Sequence, residues 1–191
     1  PGAKNICVYA ASSDAVAPVY TEAAQTLGTA LARHGHTLIY GAGNIGLMGV
    51  IARAVHAHGG RVVGVIPEKL RDLELAYREA DELIVTTDMR ERKALMERRA
   101  DAFITLPGGF GTLEEILEVI VLKQLWYHDK PLVFLNINGI YDGLLRFFDR
   151  LIEEHFIKDT HRDLYYLADD PEGALDYIEH FAPVNPHGKW F

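Results

Sequence analysis

The chain has 191 residues, of which 49% are hydrophobic, so it can form one sizeable core, and we expect a single domain over residues 1–191. Its formal net charge of −8 at pH 7 argues against a nucleic-acid-binding protein, because such proteins usually carry a basic patch. It contains no apolar run of about 18 residues that would indicate a membrane span.

Short apolar segments alternate with amphipathic ones along the chain. Strands are predicted at residues 5–10, 37–40, 61–66, 83–86, 102–106, 131–135 and 164–167. Helices are predicted at residues 18–34, 50–57, 89–99, 112–126, 141–154 and 171–181, with irregular segments at 68–82 and 183–191. Because apolar strands that alternate with helices form a parallel sheet covered on both faces, we predict a Rossmann-like, doubly wound α/β fold.

Cysteine use and the first residues favour a cytoplasmic protein. Cys7 is the only cysteine, which excludes an intrachain disulfide, and its apolar neighbours are typical of a small core residue in a reducing compartment. The sequence enters its first predicted strand at Asn5 with no signal-peptide pattern before it.

The most informative segment is the turn between the predicted strand 102–106 and the helix after it. Gly108, Gly109 and Gly111 let backbone N–H groups point at an anion, and the helix dipole adds about half a positive charge there. We therefore favour a phosphate pocket. The alternative is structural, because Thr112-x-x-Glu115 fits a capping box in which Thr112 caps the helix and Glu115 returns to the cap N–H.

A second glycine turn, Gly41-x-Gly43-x-x-Gly46, fits the dinucleotide-binding fingerprint. Two observations argue against a dehydrogenase: the turn follows the second strand, and the next strand ends in Ile66-Pro67 without the expected acidic residue. We interpret these glycines as a second anion-binding turn or as a close contact between helix and strand.

One face of the predicted helix 89–99 combines cations with apolar residues. Met89, Arg92, Lys93 and Met96 follow the spacing i, i+3, i+4 and i+7. Charged helix residues are usually solvated, but two cations on a stripe with methionines favour a face turned towards a pocket or a partner.

The segment 107–115, PGGFGTLEE, resembles the PGGxGTxxE signature of the Lonely Guy (LOG) family, and Met89-x-x-Arg92-Lys93 resembles its companion motif. The turn 41–49 is similar to the family's GGGxxGLMG turn, with Ala42 in place of a glycine. The segment 10–13, AASS, is similar to its CGSS stretch, and Arg90 stands where a histidine is common. The likeness covers nearly the whole chain. The family comprises cytokinin riboside 5′-monophosphate phosphoribohydrolases, many of which are mislabelled as lysine decarboxylases.

The resemblance implies hydrolysis of the N-glycosidic bond of AMP or of an N6-substituted (cytokinin) nucleoside 5′-monophosphate, without a cofactor or a metal. The products are the free base and ribose 5-phosphate. The resemblance assigns catalysis to Arg92 and Glu115, and a carboxylate can stabilise positive charge on the ribose or activate a water molecule. The expected substrate-binding residues are Ser13, Gly43, Glu74, Lys93, Gly108, Gly109, Phe110, Gly111, Thr112, Leu113 and Glu114.

Other readings of the sequence remain open. A non-catalytic nucleotide-binding or molybdenum-cofactor carrier protein is the alternative, and the pair Arg92 and Glu115 favours the enzyme over it. A lysine decarboxylase would need a pyridoxal-binding lysine, which no segment makes evident. His56-x-His58 has no third ligand at a suitable spacing, so we expect no metal site. The helix 112–126 is apolar on several faces, which favours an additional subunit contact, and the resemblance implies a homodimer.

Overall fold

The computed structural model describes residues 2–73 and 75–183 and contains a seven-stranded sheet. The sheet order is β4-β3-β2-β1-β5-β6-β7, and every neighbouring pair is parallel. The strands are β1 (Asn5–Tyr9), β2 (Thr37–Tyr40), β3 (Arg61–Pro67), β4 (Glu82–Thr86), β5 (Ala102–Thr105), β6 (Leu132–Leu135) and β7 (Tyr166–Ala168). This arrangement confirms the predicted Rossmann-like, doubly wound α/β fold.

Seven α-helices within the described residues cover the sheet. They are α1 (Pro18–Arg33), α2 (Gly46–Ala57), α3 (Glu68–Asp72), α4 (Met89–Arg99), α5 (Phe110–Gln124), α6 (Asp142–Glu153) and α7 (Pro171–His180). Short 3-10 helices occupy Ile137–Gly139 and Asp159–Leu164. None of the helices in the described part of the chain is long and apolar enough to cross a membrane.

The two faces of the sheet form two hydrophobic cores. In β1, Ile6 and Val8 pack against α1 and α2, whereas Cys7 and Tyr9 face the side covered by α4, α5 and α6. This division follows from the alternation of side chains along a strand. Cys7 is a buried core residue, as predicted.

Several boundaries differ from the sequence prediction because glycine-rich turns enter the helices. α2 begins at Gly46 instead of Val50, and α5 begins at Phe110 instead of Thr112. The segment 68–82, predicted to be irregular, contains α3 and an antiparallel bridge between Gly43 and Ala76. Residues 184–191 of the predicted irregular tail lie outside the described residues.

The capping-box interpretation of Thr112 and Glu115 is wrong. Gly109 is the N-cap of α5, without a side-chain cap hydrogen bond, and the N–H of Leu113 donates to the Gly109 carbonyl at 3.0 Å. Thr112 is therefore already inside the helix. Glu115, in the second turn of α5, is free of a capping role.

Candidate active site

A cavity of about 620 Å³ opens at the carboxyl ends of β1, β2 and β5. The sheet order reverses at β1, because β2 lies on one side of it and β5 on the other. Loops that leave β1 and β5 there diverge to opposite faces, which is where doubly wound sheets bind ligands. The volume of the cavity suits a small-molecule ligand.

Arg92 enters this cavity from the first turns of α4. The Asp88 carboxylate starts that helix by accepting the N–H groups of Arg90 and Glu91, each at 2.8 Å. The Arg92 side chain reaches the carboxyl ends of β2 and β3. There Nε donates to the Val65 carbonyl at 3.1 Å and Nη2 donates to the Gly41 carbonyl at 2.8 Å. The residue is only 6% exposed, and two backbone carbonyls fix its guanidinium plane.

Gly41 is required for this placement of Arg92. A Cβ atom at position 41 would lie 1.7 Å from Arg92 Nη2 and 2.7 Å from Met48 Cε. At Gly41 the turn after β2 is therefore in close contact with a helix, as one of our two interpretations predicted, and the contacting group is the Arg92 guanidinium of α4.

Glu115 lines the same cavity with a perturbed carboxyl group. Burial raises its pKa to about 7, and the neighbouring charge of Arg92 opposes this rise. The carboxylate has no hydrogen-bond or ion-pair partner among the described residues. Its oxygens are therefore available to a ligand or to water.

The amino terminus of α5 forms the second part of the cavity wall. Gly109, Phe110, Gly111 and Thr112 line it, and no side chain caps the helix. The first N–H groups of an uncapped helix have no intrahelical partner and carry the positive end of the dipole. This end of α5 therefore presents an anion-binding surface to the cavity.

The predicted site residues divide into two groups. The cavity wall includes Ser13, Gly43, Arg92, Gly109, Phe110, Gly111, Thr112 and Glu115. Lys93 instead forms ion pairs with Glu114 and Glu118 of α5, and Leu113 packs against the core. Gly108 lies behind the wall, where a Cβ atom would be 2.1 Å from Thr112 Oγ1. Glu74 lies outside the described residues.

Sequence reasoning missed most of the apolar wall. The residues concerned are Tyr9, Ile45, Met48, Ile66, Leu70 and Leu75. Leu70 and Leu75 belong to the segment predicted to lie irregularly over one end of the sheet. Tyr9 could have been identified from the sequence. It is the last residue of the central strand β1, and ligands in such sheets bind at the carboxyl ends of the strands.

A cluster of potential metal ligands occurs at the opposite end of the sheet. His34, His36 and Glu179 bring ligand atoms within 4.8 Å of one another. However, His36 Nδ1 accepts the Lys4 N–H at 3.2 Å, so the ring hydrogen sits on Nε2 and is donated to Glu179 Oε1 at 2.9 Å. A metal at Nε2 would require that hydrogen on Nδ1, facing a donor. The cluster therefore fits a hydrogen-bonded link better than a metal site.

The fold and the cavity define a Rossmann-like α/β protein in which an uncapped helix terminus, a buried arginine and an unpaired carboxylate line one cavity, at the point where the strand order reverses. A family model described as "Possible lysine decarboxylase" matches residues 48–178. Cytokinin riboside 5′-monophosphate phosphoribohydrolase LOG5 of Arabidopsis thaliana is 44% identical over 182 residues, which cover 95% of this chain and 80% of that protein. LOG7 of the same plant, with the same enzyme name, is 45% identical and covers 94% of this chain and 83% of its own length. The chain belongs to the Lonely Guy (LOG) family.

Solved structures confirm the fold. The molybdenum cofactor carrier protein of Chlamydomonas reinhardtii superposes with a TM-score of 0.72 and 23% sequence identity, over 93% of this chain and 97% of that one. At this identity the likeness concerns the fold alone.

Proposed function

We propose that the chain hydrolyses the N-glycosidic bond of AMP or an N6-substituted AMP, releasing the base and ribose 5-phosphate. One observation supports this most directly: an unpartnered carboxyl group, Glu115, lies in one cavity with a fixed Arg92 and an uncapped helix terminus. The LOG relatives carry the corresponding enzyme name. We further propose that residues 1–191 act as one domain.

The nucleotide is oriented by its phosphate. The N–H groups of Gly109 and Gly111 and the hydroxyl of Thr112 would hold the 5′-phosphate at the start of α5. Glu115 lies farther along the same helix, so the ribose of a nucleotide bound in this way faces the carboxylate.

The chemistry requires stabilisation of positive charge on the ribose. As the C1′–N9 bond breaks, its electron pair leaves with the purine, which takes up a proton, and a water oxygen bonds to C1′. An ionised Glu115 stabilises the oxocarbenium character or accepts the proton of that water. A pKa of about 7 suits this role near neutral pH. Arg92 orients the nucleotide and supports negative charge at the leaving base.

The remaining wall of the cavity is suited to an apolar base. Ile45, Met48 and Met89 line it together with Leu70 and Leu75. Apolar side chains favour a purine ring and would also accommodate an N6 alkyl substituent. This wall supports N6-substituted AMP beside AMP as a substrate.

A lysine decarboxylase receives no support from the cavity. Among the described residues, no lysine lines its wall, so it offers no amine for a Schiff base with a pyridoxal cofactor. The molybdenum-cofactor carrier alternative rests on the shared fold and predicts binding without turnover.

We also propose a homodimer in the cytoplasm. Leu117 and Val121 of α5, together with Leu125 directly after it, form an exposed apolar stripe at spacing i, i+4 and i+8. Such a stripe is typical of a protein–protein contact, and α5 also carries Glu115. The only cysteine, Cys7, is a buried free thiol, which suits a reducing compartment.

The test is to incubate the chain with AMP and with N6-isopentenyl-AMP and to follow free base by chromatography. We expect base release, and we expect Glu115→Gln to lower it by at least about 100-fold while AMP binding persists. Glu118→Gln is the matched control and should retain activity, because this α5 carboxylate pairs with Lys93 and is not part of the cavity wall. Tight nucleotide binding without base release from either substrate would refute the enzyme and favour the carrier.

A further inference from the structure

A segment outside the sequence motifs holds the turn that positions Arg92. We call residues 75–81 the strap. The Asn44 N–H donates to the Leu75 carbonyl at 3.1 Å, and the Tyr77 N–H donates to the Ala42 carbonyl at 2.7 Å. With the bridge between Gly43 and Ala76, these bonds attach the strap to the glycine turn after β2.

That turn is strained at Ala42. Its φ of +59° lies in the left-handed region, which is sterically unfavourable for a residue with a Cβ atom. Ala42 follows Gly41, whose carbonyl accepts Arg92 Nη2. A relaxation of Ala42 to an ordinary backbone conformation would rotate the adjoining peptide groups and move the carbonyl that fixes Arg92. Strain of this kind persists only where surrounding contacts enforce it.

Tyr77 anchors the strap at its centre. The side chain is 4% exposed, and its hydroxyl lies 2.8 Å from His56 Nδ1 on α2. His56 Nε2 lies 3.0 Å from Asp81 Oδ2, and this carboxylate also accepts the Val62 N–H at 2.7 Å. α2 and β3 thus hold both the middle and the end of the strap. Tyr77 is not part of the cavity wall, so any effect on the reaction must pass through the backbone.

We propose that Tyr77 is a positioning residue for the proposed hydrolysis. It holds the strap against the strained Ala42 turn and thereby fixes the Gly41 carbonyl and Arg92. The inference rests on the proposed function, because Arg92 is taken to act on the nucleotide. The phosphate-binding terminus of α5 lies on a different part of the chain and is unaffected.

The test is a double-mutant cycle between Tyr77→Phe and Ala42→Gly. Tyr77→Phe removes only the hydroxyl anchor, and we expect kcat for AMP to fall about fivefold, with KM changed less than twofold. Glycine adopts a positive φ without steric cost, so Ala42→Gly weakens the need for the strap. In the Ala42→Gly background, Tyr77→Phe should therefore lower kcat less than twofold. Tyr177→Phe, a hydroxyl removed at the far edge of the sheet, is the control and should leave kcat unchanged.

Amide hydrogen exchange gives a readout independent of activity. Tyr77→Phe should accelerate exchange at the Asn44 and Tyr77 amides at least fivefold, with the Phe103 amide in β5 unchanged. Equal kcat losses in both backgrounds, or an unchanged kcat in Tyr77→Phe, would overturn the positioning role while leaving the proposed function intact. An inactive wild-type chain would overturn the proposed function, and unchanged exchange at Asn44 would then separately overturn the strap.

Discussion

Gly41→Ala tests directly how the turn after β2 positions Arg92 in the cavity. The new Cβ would lie 1.7 Å from Arg92 Nη2, so the guanidinium must leave the Gly41 carbonyl or the turn must move. Overpacking of this kind costs about 1–3 kcal/mol. Loss of a hydrogen bond from a buried charged group costs about 1.5–3 kcal/mol. Because part of this cost is relieved by movement of the side chain, we expect the free energy of unfolding to fall by about 3 kcal/mol.

Urea unfolding measures the stability, and base release from AMP measures the activity, which should fall at least tenfold because Arg92 is displaced. Gly143→Ala in α6 is the matched control, since its Cβ would meet only Arg146 Nη2 at 3.9 Å. It should be neutral or stabilising by up to about 1 kcal/mol. The Arg92→Ala background supplies the decisive comparison, because the contact with the guanidinium disappears and only the flexible end of Met48, at 2.7 Å, must still move. A penalty of equal size in that background, or a fully active Gly41→Ala variant, would refute the proposed packing.

Four further predictions concern charge, assembly and metals. Because the pKa of Glu115 is raised from 4.5 to about 7, kcat/KM should rise with pH, reach half its maximum near pH 7 and level off above it; a profile flat from pH 5 to 8 would contradict its ionised role. The protonated Glu115 carboxyl favours the folded chain, and this contribution to stability is fully present below about pH 4.5 and is lost as pH rises through 7. At pH 8, Glu115→Gln should therefore unfold at a higher temperature than wild type, with a free energy of unfolding that is larger by up to about 3 kcal/mol. Val121→Glu on the exposed stripe of α5 should give a folded monomer by light scattering, and an unchanged dimer would exclude that stripe from the contact. A chelator should leave base release unchanged, and inhibition that added zinc reverses would show a metal requirement.

The sequence was sufficient for the sheet and for the edge of the sheet at which the cavity opens. Buried parallel strands are continuous apolar runs, and all seven strands fall within two residues of their predicted bounds. Each glycine turn was predicted beside a strand end, so both could be assigned to the same edge of the sheet. The starts of α2 and α5 were predicted too late, because the sequence does not distinguish glycines in a connecting turn from glycines in the first turn of a helix.

Features made by long-range contacts were not predictable from local pattern. The strap depends on hydrogen bonds from residues 75–81 to the turn after β2, and its backbone has no periodicity of its own. The link between His36 and Glu179 joins residues 143 positions apart. Lys93 shares a helix face with Arg92 in the sequence, yet it pairs with carboxylates of α5, which only the packing of α4 against α5 decides.

A comparison of two helical carboxylates at opposite ends of the sheet, Glu179 and Glu115, explains why we propose the catalytic role for Glu115. Glu179 accepts hydrogen bonds from His34 at 2.8 Å and His36 at 2.9 Å, and these bonds lower its pKa. Its charge is satisfied inside the chain, as expected of a structural group. Glu115 is also partly desolvated by burial, but it has no hydrogen-bond or ion-pair partner among the described residues and its pKa is raised. A protein keeps such an unfavourable group where a ligand compensates it, and the adjacent cavity and α5 terminus provide the place for that ligand.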